Sequence, residues 1–246
     1  MKPMRKGLAY GLAIVLFAAL VVWALFFTID TPRYDMIFAE KTMLLQALWH
    51  TLYISVITLI CSIVFGFVLF LMLQSEHTFI RAVAVVFREM MMGTPLLVMV
   101  FLGVYVVGEL VQMNNKEVLG ILALTLYMAP YLANAFESAK AVIDDDQYTV
   151  MAIYHFNKWQ QYRYVILPQM IKPLIPSIIN NLSSIIKGSA LLKIVSVSEI
   201  SYVLTVISSK NWAAIEGYYV MWLAYLMITI PLSLLAQFIG KKVSAQ

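Results

Sequence analysis

Charged side chains are scarce in this sequence. Asp, Glu, Lys and Arg together make up 12% of its 246 residues, about half of what an ordinary soluble domain carries. Hydrophobic residues make up 62%, and the mean hydropathy is +0.85. This composition excludes a soluble globular protein. The formal net charge of +4 is too small and too dispersed along the chain to indicate nucleic-acid binding.

Residues that build metal centres and phosphate sites are equally few. With Cys61 as the one cysteine, the chain can form no internal disulfide and no cysteine-based metal site. His50, His77 and His155 lie in three separate segments, which argues against a metal centre. The sequence has no GxxxxGK loop, so we expect a chain that binds no cofactor and is not itself an ATPase. No cluster of acid, base or metal ligands points to an integral-membrane enzyme.

Long uncharged runs dominate the chain instead. A helix that crosses a bilayer needs roughly 20 apolar residues. Six runs have that length: about 8–29, 51–74, 91–112, 118–139, 174–196 and 217–239. The sequence therefore predicts an all-α integral membrane protein with six transmembrane helices. The first run is longer than the apolar core of a signal peptide and lacks a small-residue cleavage site, so we expect it to be retained.

Basic residues predict the orientation, because Lys and Arg accumulate on the cytoplasmic side of membrane proteins. With the N-terminus inside, the inner segments hold Lys2, Arg5, Lys6, Arg81, Arg88, Lys140, Lys158, Arg163, Lys172, Lys241 and Lys242. The outer segments hold only Arg33, Lys41, Lys116 and Lys210. Both termini are therefore expected in the cytoplasm.

The segments between the spans have distinct expected structures. Leu44–Trp49 is expected to extend the second span on the outer side. Ser75–Glu89 has the pattern of an amphipathic helix that lies along the inner membrane surface. Residues 197–216 are expected to form the longest outer loop, and residues 140–172 a cytoplasmic loop.

The cytoplasmic loop, about 140–172, is the longest polar-containing segment. Asp146 is expected to cap a helix over Gln147–Phe156. A second helix is expected from Lys158 until Pro168 interrupts it. A loop this structured between two spans predicts a docking surface for a soluble partner.

Two motifs resemble those of a known family. Lys158-Trp159-Gln160, Tyr162-Arg163 and Val165-Ile166-Leu167-Pro168-Gln169 resemble the cytoplasmic EAA loop of bacterial ABC importer permeases, in the form found in the polar amino acid uptake branch. Gly93-Thr94-Pro95-Leu96-Leu97-Val98 resembles the RGTPLLV signature of that branch. The resemblance runs from about Leu44 to Gly240. It implies a five-helix type I permease core over 44–246, with an added N-terminal helix and outer loop over 1–43.

The resemblance also implies a function and a set of partners. The chain would be the transmembrane subunit of an ATP-driven importer of polar amino acids in the bacterial plasma membrane, working by alternating access. It would pair with a second permease, the same chain or a homologue, and with an extracytoplasmic substrate-binding protein. Two ATP-binding cassette subunits would use ATP and Mg and would dock on the coupling helix of the loop. The implied docking residues are Asp146, Thr149, Val150, Met151, His155, Asn157, Lys158 and Trp159.

The chain departs from the family pattern at several positions. Thr149-Val150-Met151 replace Glu-Ala-Ala, His155 replaces a glycine, Ser138-Ala139 replace Gly-Gly, and Met92 replaces an arginine. Histidine tolerates left-handed backbone better than bulky residues do, so we expect the turn at His155 to survive. These losses imply weaker coupling or a second permease that keeps the standard motif. They also motivate an alternative, a non-transporting degenerate permease that acts as an assembly or regulatory scaffold. An ATP-independent channel is a weaker alternative.

Polar residues inside the spans are candidates for a substrate path, because such residues are costly in a bilayer. The candidates are Lys187, Thr94, Glu137 and Asn181. Lys187 is expected to face the bundle interior, although the family's Lys-Asp-Thr is here Lys187-Gly188-Ser189, without the acidic partner. Structural roles remain open for each: an ion pair or snorkelling for Lys187, interhelical hydrogen bonds for Asn181, and a cap before Pro95 for Thr94.

Overall fold

A computed structural model describes residues 3–28 and 31–244 of the chain. Within these ranges the chain is helical and contains no strand. Segments that continue through a change of helical type are counted here as one helix. The helices are α1 (Pro3–Thr28), α2 (Tyr34–Ala39), α3 (Lys41–Leu73), α4 (Thr78–Gly93), α5 (Leu96–Leu110), α6 (Lys116–Lys140), α7 (Asp145–Ile153), α8 (Lys158–Val195), α9 (Ile200–Lys210) and α10 (Ala214–Ser244).

Most of the predicted spans are confirmed as long apolar helices. Five helices of the described chain, α1, α3, α6, α8 and α10, are long and apolar enough to cross a bilayer. Leu44–Trp49 continues into the second span as one helix, as predicted. The end of the first predicted span, at Ile29, and the Lys2 side chain lie outside the described residues.

The third predicted span, 91–112, is a helix only over Leu96–Leu110, and its first residues belong to α4. The chain bends by 108° between α4 and α5, and the two make a sixth span only if the bent pair is counted as one. Pro95 follows α4 closely, and the residue before a proline is driven out of the helical region. Thr94 is accordingly extended, with ψ of 133°. The break follows from Pro95, which hydropathy alone does not register.

Helices α3 and α6 form the centre of the bundle. The buried face of α3 carries small or hydroxyl side chains one helical turn apart: Ala47, Thr51, Ser55, Thr58, Ser62 and Gly66. Small residues let two membrane helices approach closely. A Cβ atom at Gly66 would lie 2.6 Å from Leu132 Cβ and 2.9 Å from the Ala129 carbonyl oxygen. This contact requires glycine.

The two ends of the bundle have separate apolar cores. At the end that carries α7, called here the α7 end, the core includes Phe70, Phe136, Ile166 and Met170. At the opposite end, called the α9 end, α2, α3, α9 and α10 enclose Ile37, Leu204 and Ile207. Helix α1 joins neither core, and none of the Gly7–Leu25 stretch is buried.

The predicted helix end at Pro168 is wrong. Helix α8 begins at Lys158, as predicted, and continues through the proline to Val195. Residues Gln161–Ile166 form a π-helical segment in which the Leu167 N–H donates to the Tyr162 carbonyl oxygen. A wider turn of this kind accommodates the missing N–H and the bulk of the proline ring. The predicted span over 174–196 and the part of the polar loop that begins at Lys158 are therefore one continuous helix.

The predicted outer loop 197–216 is also wrong, because it contains α9. The Glu199 carboxylate caps this helix by accepting the N–H groups of Ser201 at 3.0 Å and Tyr202 at 2.8 Å. The Tyr225 hydroxyl, from α10, donates to the same carboxylate at 2.9 Å. A glutamate cap is an uncommon start signal. About half of α9 is buried against its neighbours, so packing contributes to the stability of this short helix.

We predict that Gly66→Val lowers the thermal unfolding midpoint of the purified protein, because the added side chain forces α3 away from α6. Overpacking of this kind costs about 1–3 kcal/mol. The control is Gly93→Ala, because no atom lies within 4 Å of a Cβ added at Gly93. Equal midpoints for the two variants would contradict the close contact.

Candidate functional site

The N-terminus of α7 carries the acidic residues of the predicted loop. The Asp144 backbone is extended, and its carboxylate accepts the Asp146 N–H at 3.0 Å. Asp145 and Asp146 lie in the first helical turn, where negative charge is favourable. The cap is therefore Asp144. The prediction of Asp146 as the cap is wrong by two residues, because the chain leaves the extended conformation earlier than the hydrophobic pattern indicates.

The C-terminus of α7 ends in a left-handed turn at His155, whose φ is 53°. The Phe156 N–H donates to the Met151 carbonyl oxygen at 2.9 Å, and the His155 N–H donates to that of Ala152 at 3.0 Å. These two bonds form a Schellman motif, in which glycine usually takes the left-handed position. The prediction that the turn survives with histidine is confirmed.

The next helix starts with a reciprocal cap. The Asn157 side chain accepts the Gln160 N–H at 2.9 Å, and the Gln160 side chain accepts the Asn157 N–H at 2.9 Å. This capping box satisfies two backbone donors that have no partner within the helix. With the turn at His155, it fixes the angle between α7 and α8.

Apolar side chains lie exposed on this cap-stabilised segment. Val150 is 50% exposed, Ile153 69%, Tyr154 72% and Trp159 65%. Asp146, Thr149, His155, Asn157 and Lys158 are also exposed. Met151, at 3% exposure, is the exception among the predicted docking residues, because it packs into the bundle. The exposed set, called here the α7 surface, is Asp146, Thr149, Val150, Ile153, Tyr154, His155, Asn157, Lys158 and Trp159.

One lysine ties α7 to the membrane helices. The Lys140 ammonium, at the end of α6, donates to the Gln74 side-chain oxygen at the end of α3. It also lies 5.7 Å from the Tyr148 ring centroid and 5.9 Å from that of Tyr162. Each cation–π contact contributes about 1 kcal/mol. We call Gln74, Lys140, Tyr148 and Tyr162 the Lys140 joint.

Further bonds strengthen this attachment. The Tyr162 hydroxyl donates to the Gln74 oxygen at 3.1 Å, and Gln147 and Gln169 exchange two amide hydrogen bonds of 2.7 and 3.1 Å. Burial, and then the charge of Asp145, raises the pKa of the Tyr148 phenol, which stays neutral. Sequence reasoning missed the joint, because its four residues come from four helices and have no shared spacing.

A surface ion pair lies beside the joint. Lys158 Nζ is 3.0 Å from Glu76 Oε1, and the hydrogen bond and charge of Lys158 lower the Glu76 pKa. Both side chains are about four-fifths exposed, so the pair contributes little to stability. The ion pair instead holds two segments in position, because it links the turn before α4 to the start of α8.

The predicted substrate-path residues do not form one cluster. Lys187 is exposed on the single chain, so the prediction that it faces the interior of this bundle is wrong. It continues a polar row on α8 with Asn180 and Ser184, at helical spacing. In the described chain, no ion pair or hydrogen bond involves the Lys187 side chain. Asn181 donates to the Ser177 carbonyl oxygen of its own helix at 2.8 Å, and not to a neighbouring helix.

Thr94 and Glu137 have structural contacts. The Thr94 hydroxyl donates to the Met90 carbonyl oxygen at 2.7 Å, so it ends α4 and does not cap α5. Glu137 Oε2 lies 3.9 Å from Arg88 Nη1, an ion pair between α6 and α4. This partner could not be predicted from the sequence, because the two residues are far apart along the chain.

The bend between α4 and α5 lies against both α6 and α8. The Asn134 amide lies 3.8 Å from the Met92 sulfur. A Cβ atom at Gly188 would lie 3.0 Å from a Leu96 methyl group. Glycine at 188 therefore fits the close approach of α5, and an aspartate there would crowd Leu96. The bend and the polar row of α8 meet at this point.

A turn prediction follows from the backbone at His155. We expect His155→Val to destabilise the turn by about 1–2 kcal/mol, since a β-branched residue is strained at positive φ. His155→Gly relieves that strain and is the matched control. The thermal unfolding midpoint and protease cleavage near residue 155 report the difference. Equal behaviour of the two variants would contradict the left-handed turn.

Comparison with known proteins identifies relatives. The family model described as "Binding-protein-dependent transport system inner membrane component" matches residues 74–245. The probable glutamine ABC transporter permease protein GlnM of Bacillus subtilis is 26% identical, over 85% of this chain and 96% of that protein. The probable amino-acid permease protein YxeN of the same organism is 28% identical, over 87% and 97%.

Solved structures share the fold. The crystal structure of an amino acid ABC transporter with histidines superposes with a TM-score of 0.78 at 22% identity, over 86% of this chain and 99% of that chain. An inward-facing MetNI methionine ABC transporter gives a TM-score of 0.68 at 14% identity, over 83% and 98%. Both likenesses establish the architecture, which is that of a type I ABC importer permease.

Proposed function

Because the chain belongs to the family of binding-protein-dependent transport system inner membrane components, we propose that it is the transmembrane subunit of an ATP-driven importer of polar amino acids. The relatives GlnM and YxeN carry amino-acid permease names, which supports the substrate class. The family is one of inner membrane components, so the chain is a multi-pass protein of the bacterial plasma membrane. Both termini lie in the cytoplasm in this proposal, as the basic residues predict.

The main support for this proposal is the α7 surface. Side chains such as Ile153, Tyr154 and Trp159 stand exposed on a segment with caps at both ends. Exposed apolar groups on a rigid support are typical of a protein contact. Here they belong to the polar segment that the orientation places in the cytoplasm, the compartment that holds ATP. An ATP-binding cassette subunit is the partner that fits.

The joint at Lys140 gives the route by which such a partner moves the membrane helices. A force on α7 reaches α3 through Gln74 and α6 through Lys140 itself. It reaches α8 directly, since the Gln147–Gln169 bonds join α7 to that helix. Two ATPase subunits that close on ATP would draw two such segments together and open the bundle outward. Hydrolysis by those subunits, which hold ATP and Mg, would reset it.

The path for substrate lies along the exposed polar row of α8. A charged side chain in a membrane span faces water or protein, not lipid. Lys187, Ser184 and Asn180 therefore face a second permease or the space between the two. The second permease is the same chain or a homologue. Thr94 lies at the neighbouring bend. Asn181, which bonds within its own helix, and Glu137, which pairs with Arg88, stabilise the helices that carry the path.

A scaffold without transport remains the alternative function. The observation that favours it is the loss of family residues at Thr149, Met92 and Ser138. The intact left-handed turn at His155 counts against the scaffold, because a segment that docks no ATPase subunit does not need that geometry. Amino-acid-stimulated ATP hydrolysis by the purified complex would exclude the scaffold.

We predict that Ile153→Glu abolishes ATP-dependent uptake of amino acids by the reconstituted complex. A carboxylate at the centre of a buried contact is costly to desolvate, by several kcal/mol when unpaired. The ATPase subunit should be lost from the purified complex. Ile153→Leu keeps the apolar contact and is the control. Normal uptake by the Ile153→Glu variant would remove α7 from the docking site.

We also expect Lys187→Met to slow uptake at least tenfold while the complex assembles normally, since the variant removes the one cation of the α8 row. The measurement is the initial uptake rate together with the subunit composition. Lys242→Met, the same exchange at an exposed position of α10 outside the row, serves as the control. Wild-type uptake in the Lys187→Met variant would place Lys187 outside the path.

A further inference from the structure

We propose that Trp212, at the tip of the α9–α10 hairpin, is a docking contact for the extracytoplasmic substrate-binding protein. The inference rests on the proposed function, which supplies the orientation and the partner. Trp212 is 88% exposed, the highest value among the large hydrophobic side chains described. An indole of this size buries about 150–250 Å² when it enters a pocket.

The backbone at Trp212 is strained, and that strain is the first argument. Its φ is 54°, in the left-handed region where bulky residues are rare. The Ala213 N–H donates to the Ser208 carbonyl oxygen at 2.9 Å, which completes a Schellman turn. Glycine would suit this position better. Because a tryptophan in this backbone conformation costs free energy, its presence indicates a function for the side chain.

The hairpin holds the indole in a fixed position. A Cβ atom at Gly217 would lie 1.7 Å from the Ser208 hydroxyl oxygen, so α9 and α10 touch at that point. The Arg33 guanidinium donates to the Asn211 carbonyl oxygen at 3.0 Å, and the Arg33 N–H donates to the Glu216 carboxylate at 3.0 Å. These bonds fix the tip from the side. A preorganised side chain loses little entropy when it binds.

Distance along α10 places the tip outside the membrane. If Lys241 marks the inner surface, a hydrocarbon layer of about 30 Å takes roughly 20 residues of helix and ends near position 221. Trp222 and Tyr218 lie there, as an aromatic belt would. Ala214 is then about 10 Å beyond the hydrocarbon, and the head-group layer is only about 5–7 Å thick. The indole therefore points to a protein partner and not to lipid.

Apolar area, and not charge, defines the chemistry of the partner. The Arg33 N–H donates to the Glu216 carboxylate, and Lys210 Nζ lies 3.5 Å from Glu40 Oε1. The charges nearest the tip therefore have partners within the chain. The complementary surface on the substrate-binding protein is an apolar pocket that takes the indole.

The test compares Trp212→Gly with Gln112→Gly in the whole complex, held in nanodiscs. The probe is the binding protein whose addition stimulates ATP hydrolysis by the wild-type complex. Gln112 is a second exposed residue of the α9 end in a left-handed turn, with φ of 52°, so its glycine variant controls for the backbone change. Trp212→Phe tests whether an aromatic ring is enough.

We expect Trp212→Gly to weaken binding by about 30-fold, as loss of a hot spot does, and to leave the thermal midpoint unchanged or raised. Gln112→Gly should bind like the wild type. Wild-type binding by Trp212→Gly would overturn the inference alone. Quenching of the Trp212 fluorescence by brominated lipids, with binding unchanged, would make it a membrane anchor. No stimulation of the wild-type complex by any binding protein would overturn the proposed function as well.

Discussion

The attachment of α7 to the bundle depends on one partly buried cation, the Lys140 ammonium. It is held by the Gln74 amide and by the faces of Tyr148 and Tyr162, so four helices meet at one side chain. Met151 and the Gln147–Gln169 bonds also hold α7. Lys140 is the contact that joins α7 to the ends of α3 and α6, which form the centre of the bundle.

The rest of the fold follows from the cost of unpaired backbone groups in a bilayer. Non-helical backbone is confined to the bundle ends and to the bend after Gly93. Four helices of the described chain end in a left-handed residue that is not glycine: Gln112, His155, Ser196 and Trp212. His155 is explained by the angle that α7 needs, and Trp212 by an exposed indole. We have no physical account of Gln112 or Ser196.

Hydropathy predicted the long helices well, because span length is a property of local composition. Local chemistry also predicted the turn at His155 and the start of α8 at Lys158. The wrong predictions concern features that are determined by contacts between residues far apart in the sequence. Packing makes residues 200–210 a helix, and a π-helical segment carries α8 through Pro168. The exposure of Lys187 and the partners of Lys140 required the assembled bundle, since no spacing along the chain records them.

Two departures from the family pattern, Thr149-Val150-Met151 and His155, fall on α7 and its turn and leave their geometry intact. Thr149 removes a charge and is exposed, so nothing in the single chain suffers from the change. The measurement that tests the central claim most directly is native mass spectrometry of the complex purified from its own membrane. Our account predicts two ATP-binding subunits with two permease chains, this one and either its copy or a homologue. Recovery of this chain with no ATP-binding subunit would contradict it.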